Sequence, residues 1–311
     1  MIGYIIDGSL GGDLLNRDIA IGMFLTVAGG LLWGLSGTAA QFLQQYRGID
    51  AEWLVTVRML VASIITVGYC LMRNPSATLK IFSDGYDVVR LLIFGVLGMA
   101  LCQYSYFKTI FYAGAGIATV LQYLAPALLI IYMFGMHHKR PTINETLSVI
   151  LAMVGTFLIA MKGKFSLAAI DGPVIFWGVL SAIAVAIYSA QPVPLLRKYG
   201  SGPIVGLGML AGAIVASLLW HPLYIPGFWD TWTYMGMFCL IFLGTIVSFN
   251  IYLEGVRRIG AVKGSILSSV EPISAAFFSW LLVGNTFLVS DIIGFIMILS
   301  TVFILAHEKT A

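Results

Sequence analysis

Long apolar runs alternate with short polar connections along the chain, and the runs have the length of bilayer crossings rather than of soluble helices. A span needs roughly 20 mostly apolar residues to cross a hydrocarbon layer of about 30 Å. Ten segments meet that requirement: Ile19 to Gln41, Trp53 to Met72, Val88 to Tyr112, Ile117 to Met136, Ile143 to Met161, Pro173 to Leu195, Pro203 to Trp220, Trp232 to Leu253, Gly264 to Val283 and Ser290 to Ala306. Residues 1–18 carry acids and glycines without a basic leader or a cleavage pattern, so they are expected to be a loose tail rather than a signal peptide.

One stretch occurs twice. GAGIATVLQYLAPALLIIYMFG starts at Gly114 and GAVKGSILSSVEPISAAFFSWLLVG at Gly260, each with a proline in the middle of its apolar run, Pro126 and Pro272. At a constant offset of 146 the matches include Leu97/Leu243, Gly98/Gly244, Tyr106/Tyr252, Ala115/Ala261 and Leu121/Leu267. A fixed offset of this kind is the mark of an internal repeat. It divides the chain into a tail (1–18), a first five-helix repeat (19–161) and a second (171–306), bridged by KGKFSLAAID. Because five is odd, the second repeat enters the membrane from the opposite side. The fold expected is therefore an all-α membrane protein with ten transmembrane helices as two inverted five-helix repeats, a design that places substrate between the halves near the midplane.

Composition agrees with this pattern. The 311 residues are 59% hydrophobic and 10% charged, with mean hydropathy +0.96, which no single soluble core could bury. With the N-terminus cytoplasmic, twelve Lys and Arg side chains fall on the inner side and three, Arg47, Lys162 and Lys164, on the outer. The positive-inside rule then sets both termini in the cytoplasm of a multi-pass protein of the cell (cytoplasmic) membrane. Cys70, Cys102 and Cys239 all fall within spans and imply no disulfide framework.

Charges inside spans need a partner, a cavity or a short route to the interface. Lys108 and Glu254 occupy equivalent positions six residues before the paired glycines and are expected to snorkel near helix ends. Arg58, about a turn and a half past Trp53, is expected to reach the outer interface or a vestibule. Glu271 differs, because it lies mid-span directly before Pro272. The proline frees a carbonyl one turn back, so polar backbone and a carboxyl meet at one depth, which is tolerated only beside protein or a wet cavity. Polar and aromatic residues cluster at comparable depths: Trp33, Gln41, Gln103, Tyr106, Gln122 and Tyr123 in the first half, and Tyr188, Asn250, Tyr252 and Ser268 in the second. With Glu271 they are the candidate substrate-binding residues, and Pro126 and Pro272 the candidate helix-break or gating residues. Such a lining suits a small polar or amphiphilic organic solute. The runs GGLLWGLSG and GLGMLAGAIVA read as close-packing surfaces between helices.

No phosphate-binding loop, zinc-protease pair or cysteine cluster occurs, and no nucleophile is paired with a base. Neither an enzyme nor a cofactor is expected, and no metal. The partners expected are a small-molecule solute and the lipid bilayer, not nucleic acid; a homodimer is compatible with the sequence.

The proline-broken helices, the ten spans and the two halves together resemble the drug/metabolite transporter superfamily, in particular EamA-type permeases, from about Ile19 to Ala306. The most specific element is SSVEPISAAFFSWLLVG, similar to the family's ninth-helix pattern of Glu-Pro, small and aromatic residues and a closing glycine. That family often places Glu directly after the glycine, whereas here Asn285 follows Gly284 and Met136 follows Gly135. The resemblance implies a carrier with a central cavity and alternating access, commonly an exporter of amino acids or related metabolites. The competing reading is a membrane accessory subunit that uses the same fold for docking.

Overall fold

A backbone in lipid has to satisfy its own polar groups, and a helix does this within one segment, so the apolar runs fold as helices. The computed structural model of the protein describes residues 3–138, 140–161, 171–220, 222–283 and 286–307, and among them the regular structure is helical throughout. The first half contains α1 (Gly3–Arg47), α2 (Ala51–Arg73), the short α3 (Pro75–Leu79), α4 (Gly85–Leu92), α5 (Leu101–Gln122), α6 (Ala125–His137) and α7 (Ile143–Met161). The second half contains α8 (Gly172–Ala190), α9 (Val193–Tyr199), α10 (Ser201–Leu219), α11 (Thr231–Phe238), α12 (Ser248–Ile259), α13 (Ala261–Leu267), α14 (Glu271–Val283) and α15 (Val289–Ala306). Widened π-helical stretches, Ile93–Ala100 and Cys239–Val247, join α4 to α5 and α11 to α12.

Nine helical stretches among the described residues are long and apolar enough to cross a membrane. The ninth expected span, Gly264 to Val283, is not among them; it is interrupted by the tight turn Ser268–Val270 between α13 and α14, as the fourth is at Tyr123 and Leu124 between α5 and α6. Residues 3–18, expected as a tail, continue α1. They contain no proline, so nothing in them removes a helical hydrogen bond. The connection around Lys164 and the Gly284–Asn285 pair lie outside the described residues.

The breaks in the helices recur at the spacing of the sequence repeat. α4 and α11 begin at Gly85 and Thr231, the π-helical stretches at Ile93 and Cys239, α6 and α14 at Ala125 and Glu271, and α7 and α15 at Ile143 and Val289, each pair separated by 146 positions. Asp84 caps α4 by accepting from the Tyr86 and Asp87 backbone N–H groups, and Asp230 caps α11 by accepting from Thr233. Each cap is gripped by a basic residue from the other half. Arg47 at the end of α1 meets Asp230 at 2.9 Å, and Lys198 in α9 meets Asp84 at 3.3 Å and Asp87 at 2.6 Å.

Long helix pairs across the halves form the body: α1 lies along α12 and α14, α8 along α5, α2 along α10, and α7 along α15. The GGLLWGLSG run makes one of these contacts possible. A Cβ on Gly34 would fall 2.5 Å from the Glu271 carbonyl oxygen and 2.5 Å from Ser274 Cβ, so α1 meets the start of α14 backbone to backbone.

Candidate functional site

The two helix breaks meet at the centre of the molecule. α5 ends at Gln122, the chain turns through Tyr123 and Leu124, and Pro126 falls in the first turn of α6. In the second half the turn Ser268–Val270 precedes Glu271 and Pro272 at the start of α14. Pro272 has no N–H to offer the Ser268 carbonyl four residues back. That carbonyl accepts instead from the Glu271 backbone N–H and lies 3.0 Å from the Tyr123 hydroxyl, which is also 3.1 Å from Glu271 Oε2. One tyrosine thus touches both this carbonyl and the half-buried carboxyl.

Arg58 supplies the opposite charge. The sequence suggested a route to the outer interface or to a vestibule; the side chain is 8% exposed, which rules out the open interface. Its Nε donates to Thr245 Oγ1 at 3.0 Å and an Nη to the Gly244 carbonyl at 3.3 Å, both in the second π-helical stretch. Thr245 Oγ1 in turn donates to the Leu240 carbonyl at 2.8 Å. Among the described residues no ion pair joins Arg58 to Glu271. Each is held by neutral groups instead. The arginine was visible in the sequence as a charge within a span, but its acceptors lie almost two hundred positions away, and nothing local in the sequence links them.

Aromatic side chains wall this centre. Trp33 of α1 packs its ring 4.9 Å from that of Phe249 and 4.8 Å from that of Tyr252, with Tyr188 of α8 at 6.5 Å. Tyr188 also meets Phe249 at 5.9 Å and Tyr252 at 6.1 Å, mostly edge to face, the arrangement the ring quadrupole favours. The Tyr252 hydroxyl bonds Ser189 Oγ at 2.9 Å, and Tyr106 bonds Thr119 Oγ1 at 2.9 Å. Gln122 donates to Ser181 Oγ at 2.8 Å and approaches Cys102 Sγ at 3.6 Å. Trp33 Nε1 is a buried donor with no hydrogen-bond partner. Phe249, Ser189, Ser181 and Cys102 were not among the sequence candidates; packing across the halves brings them in.

Other candidates are placed elsewhere or used locally. Gln41 is exposed and donates to Gln45 one turn on at 3.2 Å, so it does not join the centre. Asn250 donates back to the Ile246 carbonyl of its own helix at 2.7 Å. Ser268 Oγ donates to the Ser265 carbonyl at 2.9 Å, leaving its own carbonyl as the group that faces Tyr123. Gln103 is buried with neither amide atom bonded. The two charges expected to snorkel are paired: Lys108 with Glu52 at 3.0 Å, and Glu254 with Arg257 and Arg258, the last of which also reaches Asp18. No group of three or more His, Cys, Asp or Glu side chains is gathered as a metal would need among the described residues.

Nine helical stretches of crossing length among the described residues mark a multi-pass membrane protein. The model of the EamA-like transporter family matches residues 20–161 and 172–306, and the chain belongs to that family. It is 32% identical over 299 residues to the protein described as "Uncharacterized inner membrane transporter YicL" of Salmonella typhimurium, covering 93% of this chain and 96% of that one. It is 23% identical over 278 residues to an "Uncharacterized transporter" of Archaeoglobus fulgidus, covering 88% and 93%. A solved crystal structure superposes with a TM-score of 0.75 at 15% identity, over 91% of this chain and 96% of that one, a likeness of fold.

Proposed function

We propose that the protein is a secondary carrier of the cytoplasmic membrane that moves a small organic solute bearing both an ammonium and a carboxylate group, an amino acid or a relative of one, in the direction of export. The observation that carries this reading is the Arg58 and Glu271 pair: a buried guanidinium and a half-buried carboxyl on different helices, each satisfied by neutral partners and not by the other. A zwitterion between them would give its carboxylate to the guanidinium and its ammonium to the carboxylate. Charge-assisted hydrogen bonds of that kind are about twice as strong as neutral ones. The unpaired Trp33 Nε1 and the Tyr188 and Tyr252 rings beside it suit the rest of an amphiphilic solute.

Alternating access would run through two inverted repeats, 19–161 and 171–306, with both termini cytoplasmic. Support comes from the helix breaks that recur at 146 positions and from the two Asp caps, each gripped by the other half. Pro126 and Pro272 would act as the points where the broken helices open.

Binding and transport by the Glu271→Gln variant in proteoliposomes at two pH values test the reading. Gln keeps the shape and the Tyr123 contact but removes the charge, so binding of zwitterions and amines should weaken while a carboxylate without an amine is little affected. Unchanged binding, transport and pH response would remove Glu271 from the site. If no amino acid or amine shifts the thermal stability of the purified protein, the accessory-subunit reading is favoured.

A further inference from the structure

A cavity of about 290 Å³ lies between the end of α1, the start of α2 and the first half of α5, and its lining includes neither Arg58 nor Glu271. The volume is near the lower end of those that hold small ligands. Val55 and Phe107 give it a buried apolar wall. Across it the Lys108 ammonium meets Glu52 at 3.0 Å while both side chains remain about one-third exposed, at 29% and 32%. Lys108 Nζ also stands 5.5 Å from the centroid of the Tyr104 ring. Asp50 adds a second carboxylate, which makes no side-chain bond to the helix it precedes.

Two carboxylates, one ammonium and an aromatic ring therefore share one small space with an apolar wall. A lone cation would satisfy the carboxylates and leave Lys108 without its partner. A lone anion would satisfy Lys108 and meet two like charges. A compound carrying both groups a few bonds apart satisfies the whole set, and its aliphatic part covers Val55 and Phe107. We propose that this cavity is a separate binding site for a zwitterion, whose ammonium is received by Glu52 and Asp50 and whose acidic group is received by Lys108. The same chemistry is offered by a free amino acid and by the ethanolamine phosphate headgroup of a lipid. The site does not depend on the reading of Arg58 and Glu271.

The test is protection of a cysteine placed at Gln44, on the cavity lining, against a membrane-impermeant maleimide, with the unsubstituted chain as background. Leucine, isoamylamine and isocaproate share one aliphatic body and differ in charge. Leucine should protect at roughly tenfold lower concentration than either of the others, a difference of about 1.4 kcal/mol. Glu52→Gln and Lys108→Met should each raise the half-protecting leucine concentration about tenfold, and Glu271→Gln should leave it unchanged. Repeating the labelling in nanodiscs of phosphatidylglycerol alone and with phosphatidylethanolamine separates the sources. Protection by phosphatidylethanolamine without added leucine assigns the headgroup, and protection only by leucine assigns a free solute. Equal protection by the three compounds, or none in either membrane, overturns the proposal, and this comparison needs no charge variant to fold. Loss of protection in Glu271→Gln with retention in Glu52→Gln also overturns it, because the label would then be reporting the central site.

Discussion

The Tyr123 hydroxyl lies 3.1 Å from Glu271 Oε2 and 3.0 Å from the Ser268 carbonyl, so a residue in the first helix break serves both the carboxyl and a backbone carbonyl of the second. The contact joins positions 148 apart in the chain. Removing the hydroxyl leaves a half-buried carboxyl short of a donor, which costs about 1–3 kcal/mol. Tyr123→Phe should lower the thermal midpoint of the purified protein accordingly. In a double-mutant cycle with Glu271→Gln the two effects should fail to add; full additivity would mean that the contact contributes nothing.

Arg58 uses the planar fork of its guanidinium to reach Thr245 and Gly244 together, which a lysine cannot reproduce. Arg58→Lys should therefore keep a folded protein yet weaken thermal-shift responses to carboxylate-bearing solutes about tenfold, a loss of roughly 1.4 kcal/mol. Responses to the matching amines should change little. Equal weakening of both would show that Arg58 supports packing and does not select an acid group.

Gly34 and Gly37 stand one turn apart on α1 and should respond in opposite directions to alanine. A Cβ on Gly34 enters the backbone of Glu271, so Gly34→Ala should destabilise by about 1–3 kcal/mol through overpacking. Around Gly37 nothing lies within 4 Å of the added atom, so Gly37→Ala should be neutral or gain about 0.5–1 kcal/mol from helix propensity. Melting curves of the two variants in the same detergent give the comparison.

Asp230 precedes α11, outside the membrane-spanning stretch, and its carboxyl is held below the usual carboxylate range by the Thr233 backbone N–H, with smaller help from the Thr233 hydroxyl and Arg47. A carboxylate with a depressed folded-state value adds stability that is complete above its unfolded value and is lost as pH falls through the folded one. The stability gap between the native chain and Asp230→Ala should thus be widest at neutral pH and close on acidification. Asp230→Asn retains a capping oxygen and should lose less at neutral pH. A gap independent of pH would leave the cap without a role for charge.

Cysteines introduced at Ser76 and Ser166 report topology. Twelve basic side chains on one side against three on the other predict that Ser166 labels from outside and Ser76 only after permeabilisation. The reverse pattern would invert the orientation of the whole chain.

Length and hydropathy were enough to make this a membrane protein of many helices, because the bilayer imposes a span length that a linear pattern records directly. The 146-residue offset likewise anticipated where the helices break, since Pro126 and Pro272 remove backbone donors whatever surrounds them. Glu271 stood out for the same local reason. What those residues touch was settled only by packing between the halves. Arg58 is held inside by Thr245 and Gly244, acceptors in a π-helical stretch, and Gln41, at the end of its expected span, is exposed and bonds Gln45 of its own helix. Lys108 and Glu254, equivalent by sequence, find different partners, Glu52 on another helix and two arginines on its own. A sequence fixes depth along a helix to within a turn, but it does not fix which neighbour each face meets, and the charge pairs of this protein depend on that neighbour.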